Sequence, residues 1–311
     1  MNPTAYTAIR EHAAYLDLTG RGKIRVSGED RARLLHAMCT NHVQELQPGT
    51  GLYAFFLTAQ GRIIADANIY CMSDYLLLDT EPGTKDRVIE HLEKFIIADD
   101  VCLNDFTDVT ATVVVEGPAA EKGVSELGAA PGQIPYSLIE CGPMCHLVHW
   151  TYTGGPGYTW FLPVEDKPAL LQKLTDLGVV EADMETADAV RLENGRPRYG
   201  IEFTEANIPQ ETQQMHAVHF SKGCYLGQEI VERVRSRGHV NRVLTPIRLD
   251  GGDAPAKGTK ILSGEKEAGE VLSAAALPGG RIAGLAIVRA EALGGTLLTA
   301  TGAVVTPVRQ A

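Results

Sequence analysis

The sequence of 311 residues is poor in aromatics, at 6%, and holds only six cysteines. Cysteines so sparse in so long a chain do not make a disulfide scaffold and read as reduced thiols. No apolar run approaches the ~20 residues that cross a bilayer as a helix, so no such span is expected. The opening "MNPTAYTAIREHAAYLDLTGRGK" lacks the apolar core and cleavage site of a secretory leader, and a cytoplasmic protein is expected. Positive charge is in deficit: 28 Lys and Arg against 39 Asp and Glu give a net charge of −11. That balance argues against nucleic acid as the partner of the whole surface, while leaving room for a local basic site. Neither a "GxxxxGK[ST]" loop nor a strand-linked "GxGxxG" is present, so nucleotide-phosphate chemistry has no motif behind it.

What is present suits a globular chain of two or three modules, with 44% hydrophobic and 22% charged residues. "GKIRVSGEDRARLLHAM" reads as a strand, a turn at Ser27-Gly28 and a helix carrying Leu34, Leu35 and Met38 at helical spacing. "GLYAFFLTAQGRIIADANIYC" reads as a hairpin turning at Gln60-Gly61, and "DYLLLDT" continues its sheet. "GTKDRVIEHLEKFII" is an amphipathic helix with Val88, Leu92 and Phe95 on its apolar side. "ATVVVEGPAAEKGVSEL" and "GYTWFLPVEDKPALLQKLTDLGV" repeat this order more weakly, as in a duplicated α+β module. After about residue 240, short apolar runs cut by Gly and Pro announce a small all-β module. The expected modules are 1–108 (completed by 184–238), 109–183 and 239–311.

The densest stretch is "KGCYLGQE", Lys222 to Glu229. A thiol reacts or ligates as thiolate, which nearby cations favour, and Lys222 and the arginines downstream supply them to Cys224. Gly223 and Gly227 allow close approach of a ligand. A small buried residue in a glycine-bounded turn fits the same pattern. Arg233, Arg235 and Arg237 alternate, so in an extended strand they share a face that suits a phosphate, a polyglutamate tail or an RNA backbone. A solvated edge strand reads the same way. In "RLENGRPRYG", Glu193 stands among Arg191, Arg196 and Arg198; a carboxylate so held takes the two N–H donors of a pterin-like edge, or is a surface ion pair. In "GRIIADANIY", Asp66 and Tyr70 face one side of a strand whose core residues are Ile63, Ile64 and Ile69. Asp66 there is a base or orients an amine, or else lies on a solvent face. "CGPMCHLVHW" offers Cys141, Cys145, His146 and His149 without the paired spacing of a metal site, and no metal is expected.

"KGCYLGQE" resembles the K-G-C-Y-x-G-Q-E signature of the YgfZ-type folate-binding proteins that maintain iron–sulfur enzymes, matching at Lys222, Gly223, Cys224, Tyr225, Gly227, Gln228 and Glu229. "GKIRVSGEDRARLLHAMCTNHVQELQPGTGLYAFFLTAQGRIIADANIY" and "RLENGRPRYGIEF" are similar to segments shared with the glycine-cleavage aminomethyltransferase, the T-protein. The resemblance implies an α+β fold: a three-module cloverleaf around a folate-sized hole, ending in a small β-barrel. It implies a tetrahydrofolate or one-carbon derivative, with Glu193 on the pterin edge and Asp66, Tyr70, Tyr225 and Gln228 against the folate. Arg233 and Arg235 take the glutamate tail, and Cys224 is a working thiol assisted by Lys222. The paired aspartates of the T-protein's "IDD" segment are reduced to Ala65-Asp66, and its "FIG[KR]EAL" becomes "CYLGQEIV". Both departures favour an accessory protein whose partners are folate and iron–sulfur enzymes or cluster-assembly proteins. The alternatives are a folate-dependent aminomethyl or one-carbon transferase, and a tRNA-modification factor, with the net charge against direct RNA binding.

Overall fold

Two glycines in left-handed conformations set the first sheet, in a computed structural model that describes residues 1–130 and 132–308. Strand Gly22–Ser27 ends at Gly28 (φ +100°), where any Cβ would strike the Asp100 carbonyl, and helix Arg31–Met38 follows. Strands Thr50–Leu57 and Ile63–Cys71 form the expected hairpin through Gly61. Leu76–Thr80, Gly22–Ser27 and Cys102–Asp105 extend it into a five-stranded antiparallel sheet. Leu34, Leu35, Val88 and Leu92 from the helices Arg31–Met38 and Lys85–Glu93 bury one face of that sheet against Ile24, Ala65, Ala67 and Ile69. Phe95 follows the end of the second of these helices and is 40% exposed, so it is not part of that apolar side.

The second sheet has six strands, in the order Val180–Glu181, Ala14–Asp17, Thr110–Glu116, Gly157–Pro163, Cys145–Val148 and Leu138–Gly142. Its N-terminal strand comes from the far end of the first 108 residues: Ala14 pairs with Glu116 on one side and Val180 on the other. The line at residue 108 therefore divides the chain by sequence and not by sheet. Leu16, Val114 and Phe161 of this sheet meet Tyr70 and Leu77 of the first in one core.

Beyond Arg242 six short strands close into an antiparallel barrel around Ile247, Ile261, Val271 and Val305. Helix Met184–Glu193 lies between this barrel and helix Pro3–Glu11. The fold is thus α+β with a closed barrel at its C-terminal end. No helix among the described residues is long and apolar enough to cross a membrane.

The arginine stretch departs from expectation. Gln228–Arg237 is an α-helix, not a strand. Ile230, Val231 and Val234 carry helical spacing, and Val231 is fully buried against Phe55, Leu57 and Tyr199. At 3.6 residues per turn, Arg233 and Arg235 point to nearly opposite sides of that helix. The side chain of Arg237 lies outside the described residues.

Candidate functional site

The strand Ile63–Cys71 is buried on both faces, yet its even-numbered residues include Asp66 and Asn68. Those two side chains face away from the helices and form one wall of a cavity of about 280 Å³ closed on its other sides by the loops that carry Trp150, Tyr152, Arg196, Arg198 and Gln214. Charge is packed around it. Lys23 lies directly opposite Asp79 across neighbouring strands and pairs with it at 3.1 Å. Arg21 bonds Asp79 (2.9 Å) and Glu81 (2.6 Å), and Arg198 closes on Glu81 from the other side at 2.6 Å. Arg191, buried in the helix Met184–Glu193, holds Glu202 at 3.0 Å and Asp188 at 2.8 Å. Burial pushes the Glu81 carboxyl up, but the Arg21 and Arg198 guanidiniums together hold it below the usual carboxylate range. Asp66 has no such partner. Burial, then the charge of Glu81, pushes its carboxyl up to about 7, against the single hydrogen bond that Tyr53 Oη donates to Oδ2 at 2.6 Å.

Polar atoms on this wall are left over. Asp66 Oδ1, Asn68 Oδ1, Trp150 Nε1 and Gln214 Nε2 are buried with no hydrogen-bond partner among the described residues. An unpaired buried polar atom costs roughly 1–3 kcal/mol, so four around one cavity mark a place built for a ligand. Tyr136 (φ 62°) and Gln213 (φ 59°), two non-glycine residues in left-handed conformations, also line it. Such strain gathers where a binding surface demands it. The cavity sits at the lower limit of the roughly 300–1,000 Å³ usual for ligand sites. It suits a planar ring system whose remaining part reaches outward.

The residues singled out from the sequence divide between two places. Asp66 is on the cavity wall. Tyr70 lies behind it, fully buried with its ring 5.6 Å from Phe161. Glu193 does not line the cavity: its carboxylate accepts from Tyr6 Oη at 2.7 Å and pairs with Arg281 at 3.3 Å, tying helix Pro3–Glu11 to the barrel. Cys224, Tyr225 and Gln228 line a separate apolar groove with Met38, Ala59 and Phe95. Cys224 is exposed there. Lys222 does not serve it. Its buried ammonium donates to the carbonyls of Cys39 and Asn41, both at 2.8 Å, and of His36, satisfying the end of helix Arg31–Met38. Gly227 is needed for backbone contact rather than ligand approach, since a Cβ there would strike the Thr58 carbonyl. Arg233 and Arg235 line neither place; Arg235 lies over the Phe220 ring at 4.2 Å and pairs with Glu232. No cluster of three or more His, Cys, Asp or Glu with metal-holding geometry occurs among the described residues.

Sequence reasoning missed Arg21, Asp79 and Glu81; for the last two the signal is charge at even spacing at the end of an apolar strand, as in "LLLDTE", while Arg198 was named only as a neighbour of Glu193. Trp150 and Arg196 lie in loops with no periodic signal of their own.

Comparison with known proteins agrees with this fold. Residues 4–222 match the GCVT N-terminal domain and residues 242–311 the CAF17 C-terminal beta-barrel domain, together a YgfZ/CAF17-type architecture. An aminomethyltransferase of Rubrobacter xylanophilus is 29% identical over 299 residues, covering 93% of this chain and 80% of its own. One from Halalkalibacterium halodurans is 27% identical over 298 residues, covering 92% and 81%. The glycine cleavage system aminomethyltransferase T of Bartonella henselae superposes with a TM-score of 0.89 at 19% identity, over 99% of this chain and 88% of that one, and so shares the fold.

Proposed function

The chain belongs to the GCVT N-terminal domain family, and from that premise we propose that it binds a tetrahydrofolate in the cavity walled by Asp66 and Asn68 and supports the assembly or repair of iron–sulfur enzymes. The observation that carries the binding reading is the set of vacant polar atoms on the cavity wall: acceptors at Asp66 and Asn68, donors at Trp150 and Gln214. A reduced pterin presents a planar edge with N–H donors beside a carbonyl acceptor, which matches both kinds. Tyr53, Tyr136 and Trp150 supply the aromatic and apolar surface that a flat ring needs. When bound, a tetrahydrofolate supplies amine nitrogens that carry one-carbon units. Asp66, rather than Glu193, is the carboxylate in reach of it. Cys224 is the residue proposed to meet the iron–sulfur partner, because its thiol is exposed in a groove of its own.

A second reading is aminomethyl transfer. It is favoured by the Asp66 carboxyl, pushed to about 7 beside the cavity, where a proton is readily exchanged. It is also the activity named for relatives that cover most of the chain.

One experiment separates the readings. Host cells lacking this protein are supplied with the native chain, Cys224→Ser or Asp66→Ala, and an iron–sulfur enzyme and glycine cleavage are assayed in the same extracts. The accessory reading expects iron–sulfur activity alone to fall without the protein, and neither variant to restore it. Loss of glycine cleavage that Cys224→Ser restores and Asp66→Ala does not would make the chain a transferase.

A further inference from the structure

Three arginines line the cavity and a fourth, Arg191, is buried outside its lining; all but one are neutralised. Arg21 and Arg198 share Glu81, and Arg191 is bound by Glu202 and Asp188. Arg196 makes no ion pair among the described residues; its guanidinium lies over the Trp150 ring, 5.2 Å from the centroid. Arg21 stacks on the same ring at 5.0 Å. The Arg196 stem runs past Gly154, where a Cβ would stand only 3.2 Å from Arg196 Cδ. An unpaired cation held in place by an aromatic face and a glycine is fixed in direction before any ligand arrives.

We infer that Arg196 is the anion-binding residue of this cavity and takes the carboxylate of the ligand's glutamate tail, an inference that rests on the folate reading above. The vacant donors Trp150 Nε1 and Gln214 Nε2 are taken up by the ring in the reading above, which leaves Arg196 as the free cation of the lining. His216, also on the lining, is driven toward its neutral form by burial and then by the Arg196 charge, so it adds no second cation. One free guanidinium matches one carboxylate, through the parallel pair of N–H···O bonds that a planar fork favours. A phosphate dianion asks for more positive charge than this wall has free, and Asp66 and Glu81 stand against it. The other cations singled out from the sequence are elsewhere: Lys222 is saturated by three carbonyls, and Arg233 and Arg235 lie off the lining.

The test is anaerobic calorimetric titration of the full chain with monoglutamyl tetrahydrofolate and with 6-methyltetrahydropterin, which has the same ring and no carboxylate. Arg196→Gln keeps much of the side chain's bulk and removes its charge; Arg196→Lys keeps the charge and removes the fork. Thermal melts of both variants confirm folding. The expected result is a loss of roughly ten- to hundredfold in tetrahydrofolate affinity for Arg196→Gln, a smaller loss for Arg196→Lys, and no change for 6-methyltetrahydropterin. Equal losses for both ligands, or none for either, overturn the inference while leaving folate binding standing. A native chain that binds neither ligand overturns the folate reading, and this inference with it.

Discussion

The cavity and the cysteine groove are opposites in construction. The cavity is assembled from side chains far apart in sequence, such as Arg21, Asp66, Trp150 and Arg196, and is crowded with charge whose pairing is nearly but not wholly complete. The groove is made largely from one continuous stretch, Cys224 to Glu232, with apolar neighbours and an exposed thiol. The cavity has vacant hydrogen-bonding atoms and strained backbone, which are marks of a small polar ligand. The groove is shallow and apolar with a thiol at hand, as suits contact with another protein. A connection between them is structural: Lys222 holds the Asn41 carbonyl, and Asn41 donates to the carbonyls of Tyr53 and His216, two residues of the cavity lining. A dense local motif and a ligand pocket need not coincide.

This contrast can be broken at either side. The largest effect is expected at Glu202→Ala, which leaves the buried Arg191 charge with Asp188 alone; chemical denaturation should show a loss of about 3–5 kcal/mol. A loss below 1 kcal/mol would mean that the cavity's charge frame is not what holds it. Next comes Asp66→Asn. A buried carboxyl raised from its ordinary value to about 7 binds more protons folded than unfolded between those limits. It therefore makes the native chain lose stability as pH rises through that window, after which the loss is constant. Urea melts should show Asp66→Asn gaining on the native chain between pH 5 and pH 8, on the order of 3 kcal/mol. A difference that does not change with pH removes the claim.

Lys222→Met should cost about 1–3 kcal/mol, because three carbonyls lose their donor. The rate at which Cys224 is alkylated in the folded protein should not move. A fall in that rate without a loss of stability would return Lys222 to the thiol. The smallest effect is at Cys224→Ser: stability within about 0.5 kcal/mol of the native chain and unchanged tetrahydrofolate affinity. A changed affinity would join the groove to the cavity after all.

Much of the fold was legible because its signals are local. Gly28 and Gly61 turn where the alternating apolar runs stop, and the glycine-cut runs after residue 240 close into a barrel. The helix Gln228–Arg237 departs from the strand that alternating arginines suggest because Ile230, Val231 and Val234, at helical spacing, decide what is buried. Asp66 was legible as a polar residue inside an apolar strand. Glu193 was expected on the pterin edge, but only the folded chain brings Tyr6 and Arg281 against its carboxylate. The free charge of Arg196 was equally invisible, since being unpaired is a property of what surrounds a residue in space.

The strand Ala14–Asp17 has a consequence for how the protein is made. Alanine, tyrosine and leucine at positions 14 to 16 are all buried in the finished sheet, between partners at Glu116 and Val180. On a ribosome working at roughly 5–20 residues per second, this apolar segment waits roughly 5–20 s for its first partner and longer for its second. During that time it is a bare strand edge on the nascent chain. The segment is thus the natural place for a chaperone to hold, and a fusion or truncation there strikes at the second sheet, not the first.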